Sequence, residues 1–191
     1  ELNVSYRRWA FPAFALVMLA LPALPVPDFW ITQSNYIGLY AIVSLGLVLL
    51  TGVAGLTSFG QAAFVGVGAY TAAFLATKVG LSPWLTLFVG LALSVVVALA
   101  LGAITLRMSG HYLPLATIAW GLALNYTMAN MDWLGKYDGL LGIPTLQIGS
   151  LDLGTGRGLH VLIWALALAS ALAVTHLLDS RPGRAIRALK G

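Results

Sequence analysis

The sequence predicts an all-α protein, a polytopic membrane helix bundle of about six membrane segments, one opened by a Gly-rich bent or broken stretch. Three observations predict it. Hydrophobic residues make up 60% of the chain and charged residues 8%, with a mean hydropathy of +0.92. A soluble domain carries about 25% charged residues. Apolar runs long enough for crossings of roughly 20 residues recur along the 191 positions. Small residues recur at helical spacing, and glycines crowd the middle of the chain.

The first span is expected over about Trp9–Leu24, preceded by Arg7 and Arg8. It reads as an anchor, because Pro22, Pro25 and Pro27 follow it without a small-x-small cleavage site. Asp28 and Trp30 are placed in the turn that ends it. The second span is about Tyr36–Val53 and the third about Gln61–Val79, closed by Lys78 and Gly80. Ser82-Pro83 has the form of an N-cap followed by Pro at the first helical position. The fourth span, about Pro83–Leu106, carries Gly90, Ser94, Ala98 and Gly102 at every fourth position, a face that another helix backbone can approach. The fifth, about Tyr112–Met131, holds Asn125, Tyr126, Thr127 and Asn130. A polar connection over 132–158 leads to the sixth, about Leu159–Leu178, with Ala165, Ala169 and Ala173 on a small face. A basic tail closes the sequence from Asp179 to Gly191.

Charge gives this topology an orientation. With Arg7 inside and six crossings, the inside set is Arg7, Arg8, Arg107, Arg181, Arg184, Arg187 and Lys190. The outside set is Lys78, Lys136 and Arg157, beside Asp28, Asp132, Asp138 and Asp152. That asymmetry follows the positive-inside rule and puts the N-terminus and the tail in the cytoplasm. A re-entrant third segment would reverse the parity, so the tail argues that this segment crosses.

The candidate site is the stretch from Gly52 to Ala73, with Thr51 just ahead of it. Gly52, Gly55, Gly60, Gly66 and Gly68 fall in seventeen positions, with Thr51, Thr57, Ser58 and Gln61 among them and Gly46 upstream. Irregular backbone at membrane depth is tolerated only where it is buried in protein or lines a wet cavity. Thr51, Ser58, Gln61 and Asn125 are therefore candidates for the wall of a solute path. For Ser58 and Gln61, structural hydrogen bonding is an equally good reading. For Asn125 and Asn130, bonding between helices is the better one. The glycines, with Gly90, Ser94, Ala98 and Gly102, read as packing and bending devices.

Several chemistries find no support. No span carries an Asp, Glu, Lys or Arg at its centre, as a proton-coupled carrier would need. His111, His160 and His176 sit at interfaces with no metal-site spacing and read as solvated. No metal or cofactor is expected, and no acid–base pair for catalysis. Zero cysteines exclude thiolate sites, and a net charge of +4 without a clustered basic face argues against nucleic acid. Energy for transport would then come from a partner. In the tail, a Pro-Gly break precedes a turn with Arg184, Arg187 and Lys190 on one face, which suits a partner protein or anionic membrane lipid alike.

The pattern Gly52-x-x-Gly-x-x-Ser-x-Gly-x-Ala-Ala-Phe-x-Gly-x-Gly-Ala-Tyr70 resembles the signature of Liv-type permeases, the membrane subunits of branched-chain amino acid ABC importers, and the LivM type in particular. Three further segments agree in order. Thr105-Leu-Arg-Met-Ser-Gly-His-Tyr-Leu-Pro-Leu-Ala-Thr117 is similar to the family's Leu-Arg-x-x-Gly-x-Tyr-x-x-x-x-Thr segment. Asp138-Gly-Leu-Leu-Gly-Ile-Pro144 resembles its outer turn, with Asp where Asn is usual. Ser180-Arg-Pro-Gly-Arg-Ala-Ile-Arg-Ala188 resembles the run leading into the loop that docks on the ATPase. The resemblance implies a bacterial inner-membrane permease domain over 1–191, the N-terminal part of a longer permease. It implies a coupling region that begins in 179–191 with Arg181, Gly183, Arg184 and Arg187. It also implies three partners: a second homologous permease subunit, ATP-binding cassette subunits that hydrolyse ATP, and a periplasmic binding protein. Related permeases carry urea, short amides and other small solutes. A passive channel and a non-transporting scaffold are the readings from other classes.

Overall fold

The computed structural model describes residues 4–105, 107–108, 112–149, 151–154 and 156–188, without the side chains of 4–8 and 151. The side chains of Arg7 and Arg8, as well as His111, Leu189 and Lys190, lie outside the described residues. Among the described residues the regular structure is helical but for a ribbon of two two-residue strands, β1 (Gln147–Ile148) and β2 (Leu151–Asp152). Among the described residues, four helical stretches are long and apolar enough to cross a membrane: Asp28–Val53, Gln61–Val79, Pro83–Thr105 and Gly156–Asp179. Trp9–Ala23 is a shorter apolar helix. The chain divides into two compact units, residues 1–49 with 147–189, and residues 50–146.

The first unit contains α1 (Val4–Ala20), α2 (Asp28–Leu47), α6 (Gly156–Asp179) and α7 (Arg181–Ala188). After α1, a 3-10 turn over Leu21–Ala23 gives way to extended backbone at Leu24 (φ −84°, ψ 155°). The ring of Pro25 enforces this, because it disfavours helical geometry in the residue before it. Pro27 then leads into α2 with Asp28 in its first turn, where a carboxylate suits the positive helix end. The second span therefore starts at Asp28, not Tyr36, and Asp28 and Trp30 belong to the helix rather than to the turn. Arg157, at the start of α6, ties this turn down. Its Nε donates to Asp28 Oδ1 (3.0 Å), and its terminal nitrogens donate to the carbonyls of Pro22, Leu24 and Val26.

Helices α2 and α6 meet through matching faces. Ile31, Ser34, Asn35 and Gly38 are buried on one, and His160, Ile163, Trp164 and Ala167 on the other. Both sets follow the i, i+3, i+4, i+7 spacing of a helix stripe. A Cβ on Gly38 would lie 2.6 Å from Ile163 Cγ2, so the absent side chain lets α6 in. In lipid, apolar burial gives little drive for association, and small residues with interhelical hydrogen bonds take over. Trp164 Nε1 donates to Ser34 Oγ (3.1 Å) and lies 3.2 Å from its carbonyl. Asn35 Nδ2 donates to Gly156 O (2.9 Å). His160 has no solvent exposure, with Nδ1 2.9 Å from Asn35 Oδ1 and Nε2 2.9 Å from Met18 O. The expectation of a solvated His160 is thus corrected: the interface of α1, α2 and α6 needed a polar pin. His176, by contrast, is exposed and bonds the Leu172 carbonyl. Ala165, Ala169 and Ala173 are exposed, so α6 does not pack through them.

The tail turns sharply at Ser180. Ser180 Oγ donates to Leu177 O, and Gly183 N donates back to that hydroxyl (3.4 Å). Pro182 and Gly183 form the first turn of α7 rather than a break ahead of it; Pro is tolerated in a first turn because its missing N–H would go unused there.

The second unit contains α3 (Gln61–Phe74), α4 (Pro83–Thr105) and α5 (Tyr112–Asn130). A π-helical turn at Leu75–Val79 extends α3 to the boundary the sequence suggested. Left-handed Gly80 ends it, and Leu81 N donates to Leu75 O (3.1 Å) across the stop. Helix α5 is interrupted in its apolarity by Asn125, Thr127 and Asn130, and 3-10 turns at Asp132–Leu134 and Lys136–Asp138 follow it.

Candidate functional site

The glycine stretch is where helix gives way. A π-helical turn over Val48–Val53 ends the preceding helix, residues 55–60 have no regular structure, and α3 starts at Gln61. Gly55 takes a left-handed φ of 71°, open to glycine without strain. Leu56 N donates back to Leu50 O (3.0 Å), so part of the freed backbone is satisfied across the break. Ser58 is only 7% exposed, and its Oγ accepts from Gly60 N (3.4 Å). Phe59 N donates to Thr117 Oγ1 (3.1 Å), and that hydroxyl donates to Pro114 O (2.9 Å). The break is therefore stapled to the second turn of α5 by a threonine hydroxyl that both accepts and donates.

Beside this staple lies a cavity of about 270 Å³, wholly within the second unit. That is close to the lower end of small-molecule sites, roughly 300–1,000 Å³. Its polar groups are Ser58 from the break, Gln61 from the start of α3, and Thr105 and Thr117 from the end of α4 and the second turn of α5. Leu56, Phe64, Leu113 and Trp120 supply apolar wall, and no charged side chain lines it. Thr105 Oγ1 donates to Leu101 O (2.7 Å), so that hydroxyl's proton is already committed. The space suits a small apolar moiety with a few weak hydrogen bonds. It offers nothing to a bare charge, which would be costly there without a partner.

The four path candidates separate. Ser58 and Gln61 share the cavity; Thr51 is half-buried in the π turn and Asn125 is exposed on α5, and neither lines it. Asn130 Nδ2 donates to Tyr126 O within its own helix (2.7 Å). The packing candidates also separate. A Cβ on Gly90 would lie 2.8 Å from Gly68 O, and one on Gly68 would lie 2.9 Å from Ser94 Oγ. Ser94 Oγ donates to Phe64 O (3.3 Å). Gly68, Gly90 and Ser94 thus set how closely α3 and α4 approach. A Cβ on Gly66 would meet only the flexible tip of Met128, at 2.9 Å. Ala98 and Gly102, further along the same α4 face, line the cavity, as does Gly60; Gly52 and Gly55 are exposed. Thr105 and Thr117 were not singled out from the sequence as site residues. Thr117 closes the second segment quoted above, which was the one available signal.

In the first unit, Arg181, Arg184 and Arg187 are exposed on α7, and Gly183 is buried. A Cβ on Gly183 would lie 2.2 Å from Leu177 O, so glycine permits α7 to fold against the end of α6.

The family model described as branched-chain amino acid transport system, permease component, matches residues 30–191. The chain belongs to this permease family. The match takes in the glycine break, the cavity beside it and the α6–α7 turn. No curated protein and no solved structure gives a match. As a permease, the chain is a membrane transport component and not itself a catalyst.

Proposed function

We propose that this chain is a LivM-like membrane subunit of an ABC importer and forms part of the route by which branched-chain amino acids cross the bacterial inner membrane. The observation that carries this reading is the cavity beside the broken helix, in a chain of this permease family. A space of that size, walled mostly by apolar side chains with Ser58, Gln61, Thr105 and Thr117 among them, suits an aliphatic side chain better than a strongly polar solute. A periplasmic binding protein would deliver the amino acid at the 132–158 side. Alternating access would shift α3 against α4 along the Gly68–Gly90 contact. ATP would be hydrolysed on separate cassette subunits, with Arg181, Arg184 and Arg187 of α7 as the coupling contact on the cytoplasmic side, and a second homologous permease subunit would complete the pathway. The orientation rests on the asymmetry of Lys and Arg between the two sides.

The test is transport by the complete assembly, purified with its partners and reconstituted in liposomes. Uptake of leucine, isoleucine or valine that requires both ATP and the binding protein supports the reading. Uptake of urea or a short amide in place of these assigns a related permease. Flux without ATP assigns a channel.

A further inference from the structure

A second cavity of the same unit differs in kind. It measures about 380 Å³ and is polar where the Ser58 cavity is apolar. Thr77 and Lys78 enter it from the π turn that ends α3, and Asp132 and Trp133 from the 3-10 turn after α5. Its frame is well tied. The rings of Phe74 and Trp133 meet edge to face with centroids 5.1 Å apart. Met131 O accepts from both Leu134 N (3.1 Å) and Lys136 N (3.2 Å). At Gly135, a left-handed residue (φ 81°), a Cβ would lie 2.1 Å from Gly139 O, so any larger residue would push one wall into the other.

The charged groups of this cavity are unequally engaged. Asp132 is paired with Lys136, four residues on and across left-handed Gly135. Thr77 Oγ1 donates to Ala73 O (2.8 Å). Lys78 lines the cavity, and among the described residues no carboxylate lies within ion-pair distance of it. A polar cavity therefore presents the exposed ammonium of Lys78, outside ion-pair distance of any described carboxylate, and in the same wall the Asp132 carboxylate, which Lys136 shares.

We propose that this cavity receives the carboxylate of the transported solute, with the Lys78 ammonium as its counter-charge and Asp132 facing the solute's own ammonium group. The proposal rests on the importer reading and adds to it the point at which the charged groups of a zwitterionic amino acid would be held. Urea and short neutral amides bring no anion for Lys78. The two cavities lie at opposite ends of Gln61–Val79, a stretch of 19 residues and roughly 28 Å, so a solute would meet Lys78 and Asp132 and the Ser58 cavity in succession.

The experiment uses the complete transporter in lipid nanodiscs without its binding protein. Lysines are acylated by a water-soluble succinimidyl ester, and the modified peptides are quantified by mass spectrometry. Leucine is compared with leucinol, which keeps the ammonium group and side chain but lacks the carboxylate, and Lys190 serves as reference. Saturating leucine should slow modification of Lys78 about two- to five-fold, the scale of one solvent-accessible ion pair, and leucinol should not. Equal protection by the two, or none by leucine, overturns the proposal. In a second measurement, Lys78→Met should lower ATP-driven leucine uptake by a similar factor while Lys78→Arg retains it; unchanged uptake in the Met variant also overturns it. Failure of the importer reading looks different, because wild-type protein would then take up no leucine.

Discussion

Replacing Gly90 by alanine tests the geometry of the second unit directly. The new Cβ would stand 2.8 Å from the carbonyl oxygen of Gly68, inside van der Waals contact, and that oxygen is backbone that cannot swing aside. Helix α3 must back away by several tenths of an ångström, which strains the Ser94–Phe64 bond (3.3 Å) on the same seam. Overpacking of this sort costs about 1–3 kcal/mol. Against it stands the gain from removing glycine from a helix interior, about 0.5–1 kcal/mol. The net expectation is a loss of roughly 1–2 kcal/mol. Gly46→Ala is the matched control, because nothing lies within 4 Å of its added Cβ, so only the gain remains. The assay is thermal unfolding of the assembled transporter in detergent, followed by tryptophan fluorescence. The two variants should shift the midpoint in opposite directions. A Gly90→Ala protein as stable as Gly46→Ala would refute the account of how α3 and α4 touch.

Two further outcomes follow from the same structure. His160→Ala strips Asn35 Oδ1 and Met18 O of a buried partner and should destabilise the protein by about 1–3 kcal/mol; a double-mutant cycle with Asn35→Ala, read by the same melting assay, should show strong coupling between the two sites. A cysteine at Ser58, in a chain that has none of its own, should react with water-soluble maleimide in at least one nucleotide state of the complete transporter, and protection in every state would remove this cavity from the solute route.

Much of the fold was legible because lipid leaves few options. The boundaries of α3 and its π turn at Gln61 and Val79, and the start of α4 at Pro83, coincide with the sequence reading, since Gly80 and Pro83 punctuate the chain strongly. The start of α2 was misread by hydropathy. Asp28, an exposed charged residue, reads as part of the turn, yet it opens α2, with its carboxylate held by Arg157 from far along the chain. The burial of His160 was hidden for the same reason, because its partners Met18 and Asn35 lie 142 and 125 residues away. At the candidate site, the irregular backbone was evident from glycine density. Which polar groups share a space with it was not. Thr105 and Thr117 come from helices whose rotation about their axes no local pattern specifies, and Asn125 faces outward for the same reason.

The bond between Asn35 and Gly156 spans 121 residues, and this sets a waiting time during synthesis. At about 5–20 residues per second, α2 leaves the ribosome roughly 6–24 s before its α6 counterpart exists. Through that interval Ser34 and Asn35 must face lipid, the translocon or an insertion chaperone. The first unit therefore closes only when the last of its long helices arrives, and a ribosome stalled before Gly156 would leave a nascent chain whose polar stripe marks it for quality control.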